Sequence, residues 1–246
     1  MTEAMSILST LSALMLGGLE ITPVFHGCIM MKADDEILLV DPIFEYEGIK
    51  AVYPECSASK VTILITHDHF DHCCPQMVNA IISRVGLENV CIVGSYKAID
   101  KRLEESEEAL PESDSLELPQ MYALANGDTL DLSFASQSLH IEAVPAYNTT
   151  PGRDKYHSEG VGNGYVLDFD SKRIYISGDS EYVPALQDID LAFLATNQPY
   201  TMTAAQCIAA AKSIHPKILV PYHLTDTDTA PIVEAFKDSD IMLYLK

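Results

Sequence analysis

The sequence predicts an α/β (α+β) fold, with strands and helices intermixed along one chain. Three observations carry that expectation. The chain has 246 residues and is 48% hydrophobic, enough for a sizeable core and too apolar for wholesale disorder. Short apolar runs, Val61 to Ile65, Leu191 to Leu194 and Lys217 to Pro221, are too short for helices and rich in the residues of buried strands. Between such runs, apolar residues recur at helical spacing, as in Met77, Ile81 and Val85, or Ala204, Ile208 and Ala211.

Taken in order, Met5 to Leu16 is apolar but is preceded by Glu3 and no positive charge. It lacks the flanks of a signal peptide and is too short to span a bilayer. Residues 1–20 therefore read as a helical N-terminal extension that could serve as an oligomer contact, and 21–246 as a single domain. Leu19 to Met31 and Glu36 to Val40 read as strands joined at Ala33-Asp34-Asp35, with Asp41-Pro42 ending the second. His26 falls inside the first of these and reads as a packed or hydrogen-bonded histidine. Pro75 suits the first turn of a helix that Gly86 can end. Val90 to Val93 is a strand, and Gly94-Ser95 opens a second helix to about Leu110. The acidic run that follows, from Glu104 to Glu117, reads as a solvated surface.

Asn126-Gly127 is a turn signal before strands at Leu130 to Phe134 and Ser138 to Ala146. A polar stretch, Thr149 to His157, and the glycines 160, 162 and 164 read as a pliable segment up to a strand at Tyr165 to Asp168. Arg173 to Ser177 is a further strand. Thr203 with Gln206 three residues on has the form of a capping box. A last helix, about Pro231 to Lys237, leads to a closing strand at Ile241 to Leu245.

Charge narrows the functions. Lysine and arginine number 15 against 36 acidic residues, a net charge of −21. Such a surface repels phosphate backbones and anionic membranes, so a small-molecule partner is expected and nucleic acid is not. A local pocket can still take an anion; Arg153 and Lys155 are rare cations near candidate site residues. The six cysteines show no disulfide framework, which fits a reducing, cytoplasmic setting. Cys73 reads as a packed thiol.

The densest chemistry is His67-Asp68-His69-Phe70-Asp71-His72, three histidines and two aspartates in six positions at the end of a buried run. Imidazoles and carboxylates gather at the mouth of a core when a cation holds them. Other apolar runs end in Asn148, in Gly178-Asp179 and in His223. Strand ends collect on one sheet edge, so these residues can converge. Asp41 could orient a metal-bound imidazole through its other nitrogen or be an ordinary turn residue.

The His-x-His-x-Asp-His string resembles the signature of the metallo-β-lactamase superfamily. Asp41-Pro42, Pro145-Ala146-Tyr147-Asn148, Gly178-Asp179, Tyr200-Thr201-Met202 and Pro221-Tyr222-His223 look like its L-ascorbate-6-phosphate lactonase branch. That resemblance implies a four-layer αββα sandwich. It implies that His67 and His69 serve one metal, Asp71, His72 and His223 a second, and that Asp179 bridges them. Many members place a further histidine at the strand end where this chain has Asn148; the role is assigned here to His157. The set suits two divalent ions, zinc first, with manganese and iron also accepted.

Two adjacent divalent ions lower the pKa of a shared water towards neutrality, and the hydroxide can attack a carbonyl or phosphoryl centre. The expected activity is therefore hydrolysis of a small ester, lactone or phosphate-containing molecule. Asp68 could shuttle a proton, Asp71 belongs to both the metal and the catalytic set, and Tyr222 could stabilise developing charge. The rival readings are a di-iron redox protein of the same fold and a metal-stabilised, non-catalytic binding protein.

Overall fold

The computed structural model describes residues 13–43, 58–108 and 118–245, with the side chains of 103–108 left out. Of the acidic run from Glu104 to Glu117 only the backbone as far as Glu108 is described, in a helix, and most of the first twenty residues lie outside the described parts. Two seven-stranded sheets face each other. The first contains β1 (Leu14–Leu16), β2 (Leu19–Phe25), β3 (Cys28–Ala33), β4 (Glu36–Val40), β5 (Lys60–Ile65), β6 (Val90–Ser95) and β7 (Gln120–Leu124), in that order. The second contains β8 (Thr129–Phe134), β9 (Gln137–Ala146), β10 (Gly162–Phe169), β11 (Lys172–Ile176), β12 (Leu191–Ala195), β13 (Ile218–Tyr222) and β14 (Met242–Leu243), again in sequence order.

In each sheet the first four strands pair antiparallel and the last four pair parallel. The helices serve the parallel halves. Helix α1 (Pro75–Val85) and α2 (Tyr96–Glu108) cover the first sheet, and α3 (Ala204–Ile214) and α4 (Ala230–Phe236) the second. Three apolar layers result. Leu38, Leu64, Tyr165, Ile176 and Phe193 lie between the sheets. Ile63 and Ile65 pack on Met77, Val78 and Ile81 of α1. Ala192 and Leu194 pack with Cys207, Ala211 and Ile214 of α3. This is the αββα sandwich. It explains the unbroken apolar strands: β5 is covered on both faces, so alternation with polar residues has no place in it. Burying a Leu or Ile of this kind contributes about 2 kcal/mol.

Local signals set the helix ends. Pro75 occupies the first turn of α1, and Gly86, at φ +90°, closes it with its N–H on the Ile82 carbonyl at 2.9 Å. The capping box at Thr203 and Gln206 is formed in full. Gly94 and Ser95 end β6, and Ser95 leads straight into α2, its Oγ accepting from the Ala98 N–H at 3.4 Å.

Three sequence expectations are corrected. Leu19 to Met31 is two strands, because the chain reverses at His26-Gly27, where Phe25 pairs with Cys28. Leu14–Leu16, placed in the helical extension, is a strand paired with β2; its alternate side chains, Leu14 and Leu16, pack on the inter-sheet core. Gly162 and Gly164 lie within β10, and a Cβ at Gly164 would sit 2.9 Å from the Ile176 carbonyl. That glycine permits close strand pairing and is not a point of flexibility.

Candidate metal centre

The site is built where strand ends from both sheets meet. Asp41 follows β4 and is fully buried. Its Oδ1 accepts from the Thr66 N–H at 2.8 Å, and its Oδ2 accepts from Thr66 Oγ1 at 2.7 Å and from His72 Nδ1 at 2.7 Å. Thr66 Oγ1 in turn lies 2.9 Å from His67 Nδ1. One carboxylate therefore anchors two imidazoles by their inner nitrogens and leaves both Nε2 atoms facing the centre. Asp41 is the orienting group and not a plain turn residue.

The residues singled out in the sequence come together. Among the described residues, ligand atoms lie within 4.8 Å of one another in three groups: His67, His69 and His157; His26, Asp71, His72 and His223; and His67, His72 and Asp179. The last links the other two. Asp179 Oδ2 is 3.4 Å from His157 Nε2 and 3.5 Å from both His72 Nε2 and His223 Nε2. Asp71 Oδ2 stands 3.9 Å from His72 Nε2 and His223 Nε2.

His157 reaches the centre because Asn148 holds it. Asn148 Oδ1 is 2.9 Å from His157 Nδ1, the Tyr200 carbonyl is 3.1 Å from the same nitrogen, and the Asn148 N–H donates to the His157 carbonyl at 2.9 Å. Asn148 Nδ2 also donates to the Tyr200 carbonyl at 2.7 Å. Asparagine at this strand end positions an imidazole nine residues on. The loop between them is tied down. The Thr149 and Thr150 N–H groups donate to Glu181 Oε2 at 2.9 and 2.6 Å, and Arg153 Nη1 pairs with Glu181 Oε1 at 2.8 Å. Arg153 is thus engaged by a buried carboxylate.

His26, which the sequence presents as a packed or hydrogen-bonded histidine, is hydrogen-bonded and also belongs to the second group. Its Nε2 is 3.0 Å from Asp71 Oδ2, and its ring centroid is 3.5 Å from that of His223. The available signal was His26-Gly27 itself, a polar-glycine pair that suits a two-residue hairpin turn. Next to it, a Cβ on Gly27 would lie 2.7 Å from His72 Cε1. His26, Asp41 and His223 have φ of +53°, +43° and +58°. Each directly follows a strand, and each holds a left-handed conformation that costs about 1 kcal/mol or more.

Electrostatics are consistent with a cation site. Burial, then the neighbouring His72, pushes His67 well below the ordinary imidazole range. Burial also lowers His157 and His223. These are neutral imidazoles, the form that ligates metals. Burial opposes a charge on His72, but Asp179 and Asp41 outweigh it and raise His72. Burial likewise works against the Asp179 carboxylate, yet His72 and His223 hold it well below the usual range. Asp71 also overcomes its burial through His26 and His72 and falls to about 2.

The decisive test of fit is hydrogen bonding. The Nε2 atoms of His67, His72, His157 and His223, with Asp179 Oδ1, are buried and have no hydrogen-bond partner. Each such group costs about 1–3 kcal/mol if left so. Five orphaned atoms from two sheets converging on one spot, all of metal-ligand type, suit divalent cations.

One open side is a cleft of about 180 Å³ whose walls include His67, Asp68, His69, Lys97, Lys155, Tyr156, His157 and Asp179; a second cavity, of about 410 Å³, is lined by His26, Tyr222 and His223 among others. Asp68 is on the wall of the first, as its expected role requires. Tyr222 is not. Its ring packs against Phe193 in the inter-sheet core, centroids 5.9 Å apart. Burial, then Asp179, raises its phenol well above the usual range. Lys97, which sequence reasoning passed over, is brought there by the first turn of α2. Cys73 is buried with its thiol towards the Ala98 carbonyl. Among the described residues no helix is long and apolar enough to cross a membrane.

The family described as "Beta-lactamase superfamily domain" matches residues 37–224. A "UPF0173 metal-dependent hydrolase" of Pyrobaculum calidifontis is 27% identical over 215 residues, covering 85% of this chain and 84% of the relative. One of the same description from Salinibacter ruber is 24% identical over 231 residues, covering 90% and 92%. The crystal structure of a protein from Parabacteroides distasonis, described provisionally as a metal-dependent hydrolase, is 39% identical. It covers 93% of this chain and 92% of its own, with a TM-score of 0.71. Igni18, a metallo hydrolase of Ignicoccus hospitalis, shares the fold at 18% identity, with coverage of 93% and 94% and a TM-score of 0.65.

Proposed function

The chain belongs to the beta-lactamase superfamily, and on that premise we propose that it is a metal-dependent hydrolase whose adjoining clusters hold two divalent ions. The observation that carries the reading is the convergence of the orphaned Nε2 atoms of His67, His72, His157 and His223 on Asp179. His67, His69 and His157 would hold the first ion, and Asp71, His72 and His223 the second, with Asp179 between them. Zinc suits this set, and manganese or iron would be accepted by it. Ions held there would supply an activated water and would polarise the oxygen of the bond under attack.

The chain's own groups do the remainder. Asp41, directly and through Thr66, fixes His72 and His67. Asn148 and the Tyr200 carbonyl fix His157. Asp68, on the cleft wall between two ligands, accepts the proton released in the attack and returns it to the leaving group. The substrate is a small ester, lactone or phosphate ester. The relatives' description as hydrolases supports hydrolysis, and the likeness to the lactonase branch favours a lactone among the candidates.

The experiment is a panel of chromogenic esters, lactones and phosphodiesters, run after chelation and after reloading with zinc, manganese or iron. The expected result is chelator-sensitive turnover that Asp71→Ala and His223→Ala each abolish with circular dichroism unchanged. Asp68→Asn should lower kcat by about 10²–10⁴ without changing metal content. Retained metal with no turnover anywhere on the panel would favour a non-catalytic binding protein. Iron with electron transfer would favour the redox reading.

A further inference from the structure

The overall charge of −21 makes cations at the cleft informative. Two lysines reach it from different elements: Lys97 from the first turn of α2, and Lys155 from the loop carrying His157. The other candidates nearby are already used. Arg153 is paired with buried Glu181, and Lys101 donates to the Asp68 carbonyl at 2.7 Å, which fixes the metal-ligand loop. Lys155 Nζ lies 4.9 Å from the centre of the Tyr156 ring, and Tyr156 itself lines the cleft and packs edge-on against Tyr200 at 5.0 Å. The cleft therefore brings together the His67, His69 and His157 donors, two lysines and an aromatic ring.

Resting on the hydrolase reading, we propose that Lys97 and Lys155 form an anion-recognition rim. The cleft then takes a small molecule bearing a carboxylate or phosphate group beside its hydrolysed bond. At about 180 Å³ the cleft is below the range of about 300–1,000 Å³ usual for drug-sized ligands, so the anion is small. The net charge of −21 works against a polyanion, since the repulsion grows with each added phosphate. The two lysines act as specificity-determining residues: they fix which end of the substrate faces the centre and do not touch the reacting atoms.

The test is calorimetric titration of the full-length protein with inorganic phosphate and, separately, with succinate, at low salt. The proteins compared are wild type, Lys97→Gln/Lys155→Gln, and a charge-matched control, Lys172→Gln/Lys212→Gln. Wild type and control should bind at least one anion alike. The cleft variant should bind it about fivefold to tenfold more weakly, the loss of two solvent-exposed charge contacts, with its metal content unchanged. The anion bound more tightly identifies a phosphate-bearing or a carboxylate-bearing substrate. Equal affinity in the cleft variant and wild type, or no binding of either anion by wild type, overturns the proposal. Absence of metal from wild type would overturn the hydrolase reading instead, and the anion titrations would still decide this one.

Discussion

At the scale of single residues, His26 and Gly27 show how tightly the centre is determined. Asp71 Oδ2 receives His26 at 3.0 Å, which holds the carboxylate towards His72 and His223. His26→Leu removes the donor while keeping bulk, and should weaken the second equivalent of metal by about 10–100-fold. His26→Gln, which presents an N–H at a similar reach, should restore most of that affinity. Equilibrium dialysis with zinc separates the two equivalents. Gly27→Ala places a methyl 2.7 Å from His72 Cε1; since that ring is pinned by Asp41, the expected result is loss of the second equivalent with the first intact. The ligand types were legible because His67, His69, Asp71 and His72 are adjacent in sequence. His26 was not, because its role depends on a turn bringing it to a residue 45 positions away. Asp41 was equally ambiguous until its oxygens could be traced to Thr66 and His72.

At the scale of elements, the loop between Asn148 and His157 is the one whose conformation matters most. Glu181 clamps it from below. Burial disfavours the charged Glu181 carboxyl, but Thr150, Arg153 and Thr149 outweigh that and lower its pKa. A folded-state value below the ordinary 4.5 means the clamp's contribution is present at neutral pH. It is lost as pH falls through the folded value. Thermal melts should therefore show Glu181→Gln starting less stable at pH 7 and losing less on acidification than wild type. Arg153→Ala should cost about 2 kcal/mol, for leaving a buried carboxylate short of a partner, and about 4–8 °C in Tm. This loop looked pliable in the sequence because its residues are polar and glycine follows them; the clamp comes from a buried glutamate about thirty positions on. By contrast α1 and α3 were legible to within a residue or two. Proline, glycine and the capping box act locally, and local signals need no tertiary context.

At the scale of the whole molecule, the two sheets repeat one plan. Asp41 follows the fourth strand of the first sheet and Asp179 the fourth of the second. His26 follows the second strand of one sheet, and Asn148, which holds His157, lies just past the second of the other. The first carboxylate orients imidazoles from behind, and the second faces them. No sequence repeat announces this, because the halves share pairing order and not residues. The sandwich itself was read through the resemblance around the metal motif; apolar runs alone give strands and cannot say which sheet each joins. In the proposed centre these strand ends hold two ions, joined by Asp179. The measurement that tests it most directly is metal stoichiometry by elemental analysis, on wild type, His157→Ala and Asp179→Ala reloaded together with zinc. The expected result is close to two ions per chain in wild type, one in His157→Ala, and fewer than two in Asp179→Ala, all three folded. One ion or none in wild type, or two in every variant, would contradict it.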